Sequence, residues 1–124
     1  MNKVVHFEIP SDDVERASKF YKEVFGWVIN AMPNMGYALL YTGPTDEKGM
    51  LKESGFINGG MMKRWKEVKN PVITINVDSI EEAAKKIVAN GGKVIREKMD
   101  VGTMGYAGYF TDSEGNVMGL WENK

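Results

Sequence analysis

The stretch His6–Trp27, HFEIPSDDVERASKFYKEVFGW, decides the fold because the chain repeats its pattern. When the sequence is shifted by 66 positions, Asp12–Ile29 (DDVERASKFYKEVFGWVI) aligns without a gap with Asp78–Ile95 (DSIEEAAKKIVANGGKVI). Seven of the eighteen aligned pairs are identical. At a shift of 69, Gly36-Tyr37-Ala38 also matches Gly105-Tyr106-Ala107. Internal repetition of this kind predicts two copies of one structural module.

The first module, residues 1–62, begins with a predicted strand and helix. Alternation over Val4–Ile9 indicates a strand that Pro10 ends. Ser11, Asp12 and Asp13 are candidate helix N-caps. Apolar residues then recur at three- and four-residue spacing, which predicts an amphipathic helix that ends at Gly26. We expect the side chains of Phe20 and Phe25 to lie in the core. Three further strands are predicted at Trp27–Met32, Tyr37–Thr42 and Gly55–Met62, and the three glycines of the last indicate close approach of the backbone.

The second module, residues 71–124, shows the same order of elements. A strand is predicted at Pro71–Val77, a helix at Ser79–Asn90, and strands at Lys93–Lys98, Ala107–Asp112 and Val117–Glu122. Residues 63–70 (KRWKEVKN) are interpreted as a solvated linker, with an anion-binding patch as the alternative. The chain is therefore predicted to be one α+β domain of two tandem β-α-β-β-β modules, with helices on one face of the sheets.

The composition excludes several classes of protein. The 124 residues contain no Cys, so neither a disulfide framework nor thiolate chemistry is available. A net charge of −1 gives no basic surface for nucleic acid. No stretch of 18 apolar residues and no signal-peptide core is present, so we expect a cytoplasmic protein without a membrane partner.

Strand alternation predicts which side chains could form a site. Val5, Phe7 and Ile9 belong under the first helix, so His6 and Glu8 point to the opposite face. The same logic places Thr74, Asn76 and Trp121 on the corresponding face of the second module, where a ligand could bind. Aromatic rings stack on planar or apolar molecules, so Tyr37 and Tyr109 are further candidates for ligand contact, with Tyr41 and Tyr106 as options that depend on the register.

These features together resemble the glyoxalase/bleomycin-resistance/extradiol-dioxygenase group, the vicinal oxygen chelate superfamily. The resemblance rests on His6, Asp13, Phe20-Tyr21, Gly26-Trp27, Val77-Asp78, Gly91-Gly92 and the turn TDSEGN at 111–116. It implies paired modules whose sheets curl into a cup, often completed by a homodimer. In the metal-dependent members, the cup holds one divalent ion that the substrate chelates.

The resemblance also implies four metal-ligand positions, and only one of them carries a donor. His6 lies seven residues before Asp13, as the first ligand does in the superfamily. The position in the second module is Val72, the C-terminal position is Gly119, and its counterpart is Gly59 or Gly60. A zinc or nickel site needs about three N or O ligands. We therefore expect no cofactor and no tightly bound metal, although Glu8 could add a second donor beside His6.

Three classes of function remain open from the sequence. The first is a metal-free protein that binds a small organic molecule, with His6 and Glu8 as polar contacts or catalytic groups. His6 could instead be structural. The second is a lyase or isomerase of the glyoxalase type, with a metal on His6, Glu8 and a third donor. The third is a subunit whose sheet face binds another protein, so the sequence leaves open whether the chain is an enzyme.

Overall fold

The computed structural model describes residues 1–124, apart from the side chain of Pro33. It contains eight strands and two helices, joined with one 3-10 turn at Pro33–Met35. In chain order, the elements are β1 Val4–Ser11, α1 Val14–Phe25, β2 Val28–Met32, β3 Tyr37–Tyr41, β4 Gly59–Lys63, β5 Val72–Asn76, α2 Ile80–Ala89, β6 Lys93–Val101, β7 Gly105–Thr111 and β8 Val117–Asn123.

The chain forms two compact halves. The first half is residues 6–71, and the second half is residues 72–124 together with residues 1–5. In the first half the strand order is β2-β3-β4-β1, and β1 pairs in parallel with β4. In the second half the order is β5-β8-β7-β6, and β5 pairs in parallel with β8. Each half therefore has the predicted β-α-β-β-β order, and the α+β fold class is confirmed.

The helix ends agree with the signals in the sequence. Asp13 is the N-cap of α1, where its carboxylate accepts a hydrogen bond from the Arg16 N–H at 3.0 Å. Gly26 ends the helix with φ of +72°, a conformation that favours glycine. Ser79 caps α2 and occupies the position that the 66-residue repeat equates with Asp13. The repeat thus extends to the caps.

Each helix covers one face of the sheet in its own half. In the first half, Ala38, Leu40 and Met61 form a buried cluster against which Phe7, Ile9, Val14, Ala17 and Tyr21 pack. In the second half, the buried cluster is Val77, Ile80, Phe110 and Leu120. Phe7 and Ile9 lie under α1 as expected, whereas the neighbouring Val5 belongs to the second half and is partly exposed.

Two expectations about the first half are wrong. Phe20 and Phe25 are more than half exposed, because Val14, Ala17 and Tyr21 already occupy the narrow face of α1 that meets the sheet. Strand β1 also does not end at Pro10. It continues to Ser11, whose carbonyl accepts a hydrogen bond from the Arg64 N–H at 2.8 Å.

The segment 63–70 is not solvated throughout. Val68 is fully buried, and its N–H donates to the Trp65 carbonyl at 3.0 Å. The Arg64 guanidinium pairs with the Asp12 carboxylate at 3.0 Å and also donates to the Lys69 carbonyl. The buried Val68 and the paired Arg64 therefore hold this basic segment against the rest of the protein. No helix of the part of the chain that the structure describes is long and apolar enough to span a membrane.

Candidate functional site

The sheet of the first half presents a second face, opposite α1. Alternation places Phe7, Ala38, Leu40 and Met61 on the α1 side, so their neighbours in the strands point the other way. This opposite face is called here the open face of the first half. Its side chains include His6, Glu8, Met32, Tyr37, Leu39, Tyr41 and Met62, with Gly60 between them.

Three of the predicted site residues meet on the open face. The Tyr37 hydroxyl donates to Glu8 Oε2 at 2.8 Å and lies 3.0 Å from His6 Nε2. Because the single hydroxyl hydrogen goes to Glu8, the Nε2 of His6 supplies the hydrogen in its bond with Tyr37. The result is a chain of hydrogen bonds from imidazole to phenol to carboxylate. We call these three residues the polar triad.

Burial sets the electrostatics of the polar triad. Glu8 is only 7% exposed, so its carboxylate depends on protein hydrogen bonds rather than on water. Burial lowers the pKa of His6 from its usual 6.5, and the nearby Glu8 carboxylate opposes this effect without cancelling it. His6 is therefore neutral near pH 7, and the polar triad carries the negative charge of Glu8.

Gly60 makes the space that the polar triad needs. Gly60 lies opposite Glu8 in the parallel pair of β1 and β4. A Cβ atom added to Gly60 would be 1.7 Å from the Tyr37 hydroxyl oxygen, far inside van der Waals contact. The sequence predicted a close approach of the backbone at the glycines of Gly55–Met62, but not which group approaches. The approaching group is the Tyr37 side chain, a residue proposed only as a ring for stacking.

The second half carries the other predicted site residues on the face opposite α2. Thr74 is buried and lies against Gly119, where an added Cβ would be 2.6 Å from Thr74 Oγ1. Tyr109 pairs with Gly119 from the other side, so its side chain shares that face. Tyr106 does not, because it packs on the α2 side with the Lys98 ammonium 4.1 Å from its ring.

Trp121 and Asn76 are linked at the same face of the second half. The Asn76 side-chain amide donates to the Trp121 carbonyl at 3.0 Å, which joins β5 to β8. The Trp121 indole N–H donates to Asn123 Oδ1 at 2.8 Å, and the ring lies over Gly105. Trp121 is partly exposed, so part of its ring is accessible. One hydrogen of the Asn76 amide is thus already used within the fold.

The residues at the superfamily's metal positions do not fit a divalent ion. Val72 is fully buried and has no donor atom in its side chain. The space beside Gly59 is taken by the Phe7 ring, and the spaces beside Gly60 and Gly119 are taken by the hydroxyl groups of Tyr37 and Thr74. Within the described chain, no three His, Asp or Glu residues are grouped as metal ligands would be.

Comparison with known proteins agrees with this architecture. The family model for bleomycin resistance protein-like N-terminal regions matches residues 3–43. A glyoxylase-like domain-containing protein of Didymella fabae is 31% identical over 117 residues, which cover 89% of this chain and 85% of that protein. The lactoylglutathione lyase of Haemophilus influenzae is 27% identical over 126 residues, covering 98% of this chain and 93% of the enzyme.

A solved structure shows the same fold at lower identity. A variant of Streptomyces coelicolor methylmalonyl-CoA epimerase, in complex with 2-nitronate-propionyl-CoA, matches with a TM-score of 0.66 and 16% identity. The match covers 99% of this chain and 95% of the epimerase. With the tandem modules and the Didymella relative, these findings show that the chain belongs to the glyoxalase/bleomycin-resistance/extradiol-dioxygenase, or vicinal oxygen chelate, superfamily.

Proposed function

We propose that the protein binds a small organic molecule on the open face of the first half, through His6, Glu8 and Tyr37, without a resident metal ion. The observation that carries the proposal is the buried Glu8 carboxylate held by the Tyr37 hydroxyl. A buried charge is costly unless it has partners, and such groups are typical of functional sites. The relatives that act on or bind small molecules support this class of ligand.

The chemistry of the open face favours a particular kind of ligand. Its side chains include Leu39, Met62 and Tyr41, which offer an apolar and polarisable surface. None of the residues on the open face is Lys or Arg, while Glu8 supplies a negative charge. We therefore propose a ligand with an apolar body and a positively charged or hydrogen-bond-donating group.

The predicted residues of the second half keep a proposed role. Trp121 and Tyr109 offer aromatic surface for contact with a ligand, and Thr74 and Asn76 offer polar atoms on the same face. Trp121 fluorescence reports on this role, since an accessible indole that contacts a ligand changes its emission. An unchanged spectrum at saturation would remove Trp121 from the set of contacts.

A metal-dependent lyase is the second candidate, supported by the similarity to lactoylglutathione lyase. That reaction would use His6 and Glu8 as ligands, together with a third donor. The two candidates differ in a simple way. The metal-free protein binds its ligand equally well with and without a chelator, whereas a lyase of this kind depends on zinc, nickel or manganese for activity.

The test uses three probes of similar shape and different charge: phenethylamine, phenylacetate and phenylethanol. His6 is the only histidine of the chain, so its imidazole proton gives a unique NMR signal beside the site. In buffer with a chelator, phenethylamine should shift the His6 signal and bind at least about tenfold more tightly than phenylacetate. Tyr37→Phe should weaken that binding, and Tyr41→Phe is the matched control. Preference for phenylacetate, or no shift with any probe, would overturn the proposal.

We also propose that the protein is a homodimer in the cytoplasm, as the sequence predicts. The near-neutral net charge of −1 places no strong repulsion between copies. A subunit whose sheet face binds a different protein is the remaining alternative. Sedimentation of the purified chain alone distinguishes the two, because only a homodimer forms without another protein.

A further inference from the structure

A cleft lies between α2 and β6 in the second half. Its volume is about 370 Å³, which falls within the range of about 300–1,000 Å³ that is typical of ligand sites. Four apolar side chains form its floor: Ile80, Ala84, Val94 and Leu120. The residues that line it belong to α2, β6 and β8, so this site, called here the α2 cleft, is distinct from the open face of the first half.

The small side chain of Ala84 opens the α2 cleft on the helix side. Ile80 and Ile87 pack in the core of the second half. Ala84 lies about 40° around the helix from Ile80, on the flank of α2 that lines the cleft. Glu81 is one turn from Ala84 on the same flank, so its side chain stands at the edge of the same space.

The strand side of the α2 cleft is irregular. The lining part of β6 is Val94, Arg96, Glu97 and Lys98. Over residues 94–99, the pairing of β6 with β7 shifts register twice. Such bulges bend a strand, re-aim its side chains and are frequent beside active sites. In the first half, the equivalent strand β2 pairs with β3 in an unbroken register, so the irregular strand distinguishes the second half from the first.

Arg96 contributes its main chain to the α2 cleft. In the antiparallel pair of β6 and β7, Arg96 lies opposite Tyr109, whose side chain is on the face away from α2. Residues opposite one another in such a pair share a face, so the Arg96 guanidinium points away from α2 as well. The Arg96 carbonyl oxygen lies 3.3 Å from where a Cβ on Gly108 would be, and Ile80 Cγ2 lies 3.4 Å from the same point. The main chain of Arg96 therefore borders the cleft.

The charged side chains at the α2 cleft are not balanced. The Lys98 ammonium lies 2.9 Å from Glu122 Oε1 and 4.1 Å from the centre of the Tyr106 ring, so its charge is already compensated. Glu81 and Glu97 also line the cleft. Neither forms a salt bridge or a hydrogen bond with any residue that the structure describes. The edge of the cleft is therefore negative above an apolar floor.

We propose that the α2 cleft binds a small molecule with a saturated apolar body and a protonated amine. The floor holds the body, and the amine lies at the edge, near the carboxylates of Glu81 and Glu97. An ammonium group has three donors and no acceptor, which suits two carboxylates. An anionic ligand would instead meet like charges, which repel. Among the described residues that line the cleft, none is aromatic, so a saturated body fits better than a planar ring.

The test compares three molecules of one shape and different charge: cyclohexylamine, cyclohexanecarboxylate and cyclohexanol. Binding is followed through the methyl NMR signals of Ile80 and Val94, which line the α2 cleft. Cyclohexylamine should shift both signals with a dissociation constant of millimolar order, as is expected for so small a ligand, and should bind at least about fivefold more tightly than cyclohexanecarboxylate. Equal or tighter binding of the carboxylate would overturn the proposal, as would the absence of any shift with the amine.

The role of the acidic edge is tested with two neighbouring glutamates. Glu81→Gln should weaken the binding of cyclohexylamine by about three- to fivefold and leave that of cyclohexanol unchanged. Glu82→Gln is the matched control, because Glu82 is also exposed in the first turn of α2 but does not line the cleft. It should change the binding by less than about twofold. Equal losses in the two variants would show that only the overall charge matters and would contradict the proposed site.

The space itself is tested by filling it. Ala84→Phe should abolish the shift of the Ile80 signal with cyclohexylamine, and Ala84→Leu should weaken binding in the same direction if the larger side chain prevents folding. Ala89→Phe is the control, because Ala89 is exposed on α2 and does not line the α2 cleft. If the amine binds to a folded Ala84→Phe or Ala84→Leu variant as tightly as to the wild-type chain, the cleft is not the site.

The His6 signal with phenethylamine is recorded for each variant, because it reports on the open face of the first half. A His6 shift that persists in Ala84→Phe, together with loss of the Ile80 shift, supports two separate sites. Absence of the Ile80 shift in the wild-type chain rejects the α2 cleft and leaves the proposed function standing. Absence of the His6 shift alone has the opposite meaning.

Discussion

The hydroxyl of Tyr37 lies where a side chain on Gly60 would begin. A Cβ on Gly60 would be 1.7 Å from Tyr37 Oη, and the second half repeats the relationship with Gly119 and Thr74, at 2.6 Å. In each half, the glycine lies on the strand that pairs in parallel with that half's first strand: β4 with β1, and β8 with β5. In both places the glycine leaves room for a hydroxyl group. The superfamily resemblance implies metal ligands at Gly119 and at either Gly59 or Gly60. A hydroxyl therefore fills each space that a longer side chain would need.

Gly60→Ala should displace the Tyr37 ring, because the strand backbone cannot move away without breaking its pairing with β1 and β3. We expect a loss of about 1–3 kcal/mol in the free energy of unfolding, measured by urea denaturation, together with weaker binding of phenethylamine. In a Tyr37→Ala background the same substitution should cost much less, since the obstructing ring is gone. Equal costs in both backgrounds would show that Tyr37 does not fill the space.

Tyr37→Phe removes one hydroxyl and leaves the ring in place. Glu8 then loses the donor at 2.8 Å while remaining buried, and we expect a cost of about 1–3 kcal/mol in urea denaturation. Tyr41→Phe is the control, because Tyr41 lies on the same strand and its hydroxyl forms no hydrogen bond with any residue that the structure describes. If the two variants lose the same stability, the Tyr37 hydroxyl contributes nothing specific.

The pKa of His6, read from its NMR signal as pH changes, should lie below 6.5. Burial lowers the pKa of His6 more than the Glu8 carboxylate raises it. Glu8→Gln should therefore lower the His6 pKa further. The folded state binds a proton on His6 less readily than the unfolded state does. Protonation of His6 should therefore lower the free energy of unfolding as pH falls through about 6.5. A His6 pKa above 6.5 would show that the Glu8 charge dominates.

Glu122 joins the start of α2 to the sheet of the second half. Its carboxylate accepts the Ile80 N–H at 2.8 Å and pairs with the Lys98 ammonium at 2.9 Å, and these contacts lower the pKa of Glu122. Its contribution to stability is therefore present near neutral pH and is lost as pH falls through the lowered pKa. Glu122→Gln should cost about 1–2 kcal/mol at about pH 7 and less in acid. Glu97→Gln, at an exposed position of β6, is the control and should leave the free energy of unfolding nearly unchanged.

Local signals in the sequence predicted most of the fold. The 66-residue repeat identified both modules, and Asp13, Ser79 and Gly26 marked helix ends because caps depend on a few neighbouring residues. The core was harder to predict. Phe20 and Phe25 fit the apolar period of α1, but how much of a helix a sheet covers is set by tertiary packing and not by periodicity.

The sequence predicted the face of the sheet on which the candidate site lies, but not the hydrogen bonds that connect its residues. Alternation placed His6 and Glu8 on one face, since side chains two apart on a strand share a direction. Their link through Tyr37 depends on the register of β3 against β4, which is set by pairing distant in sequence. For the same reason, Tyr106 and Tyr109 could not be assigned to faces until the β7 pairing was known.

The most direct test of metal-free binding by the polar triad is calorimetry with phenethylamine. The titration compares protein treated with a chelator, protein loaded with zinc, nickel or manganese, and the Glu8→Gln variant under both conditions. We predict the same dissociation constant with and without metal, to within about twofold, and a loss of at least about tenfold in Glu8→Gln. Binding that appears only after metal is added, and is lost in His6→Ala, would contradict this account.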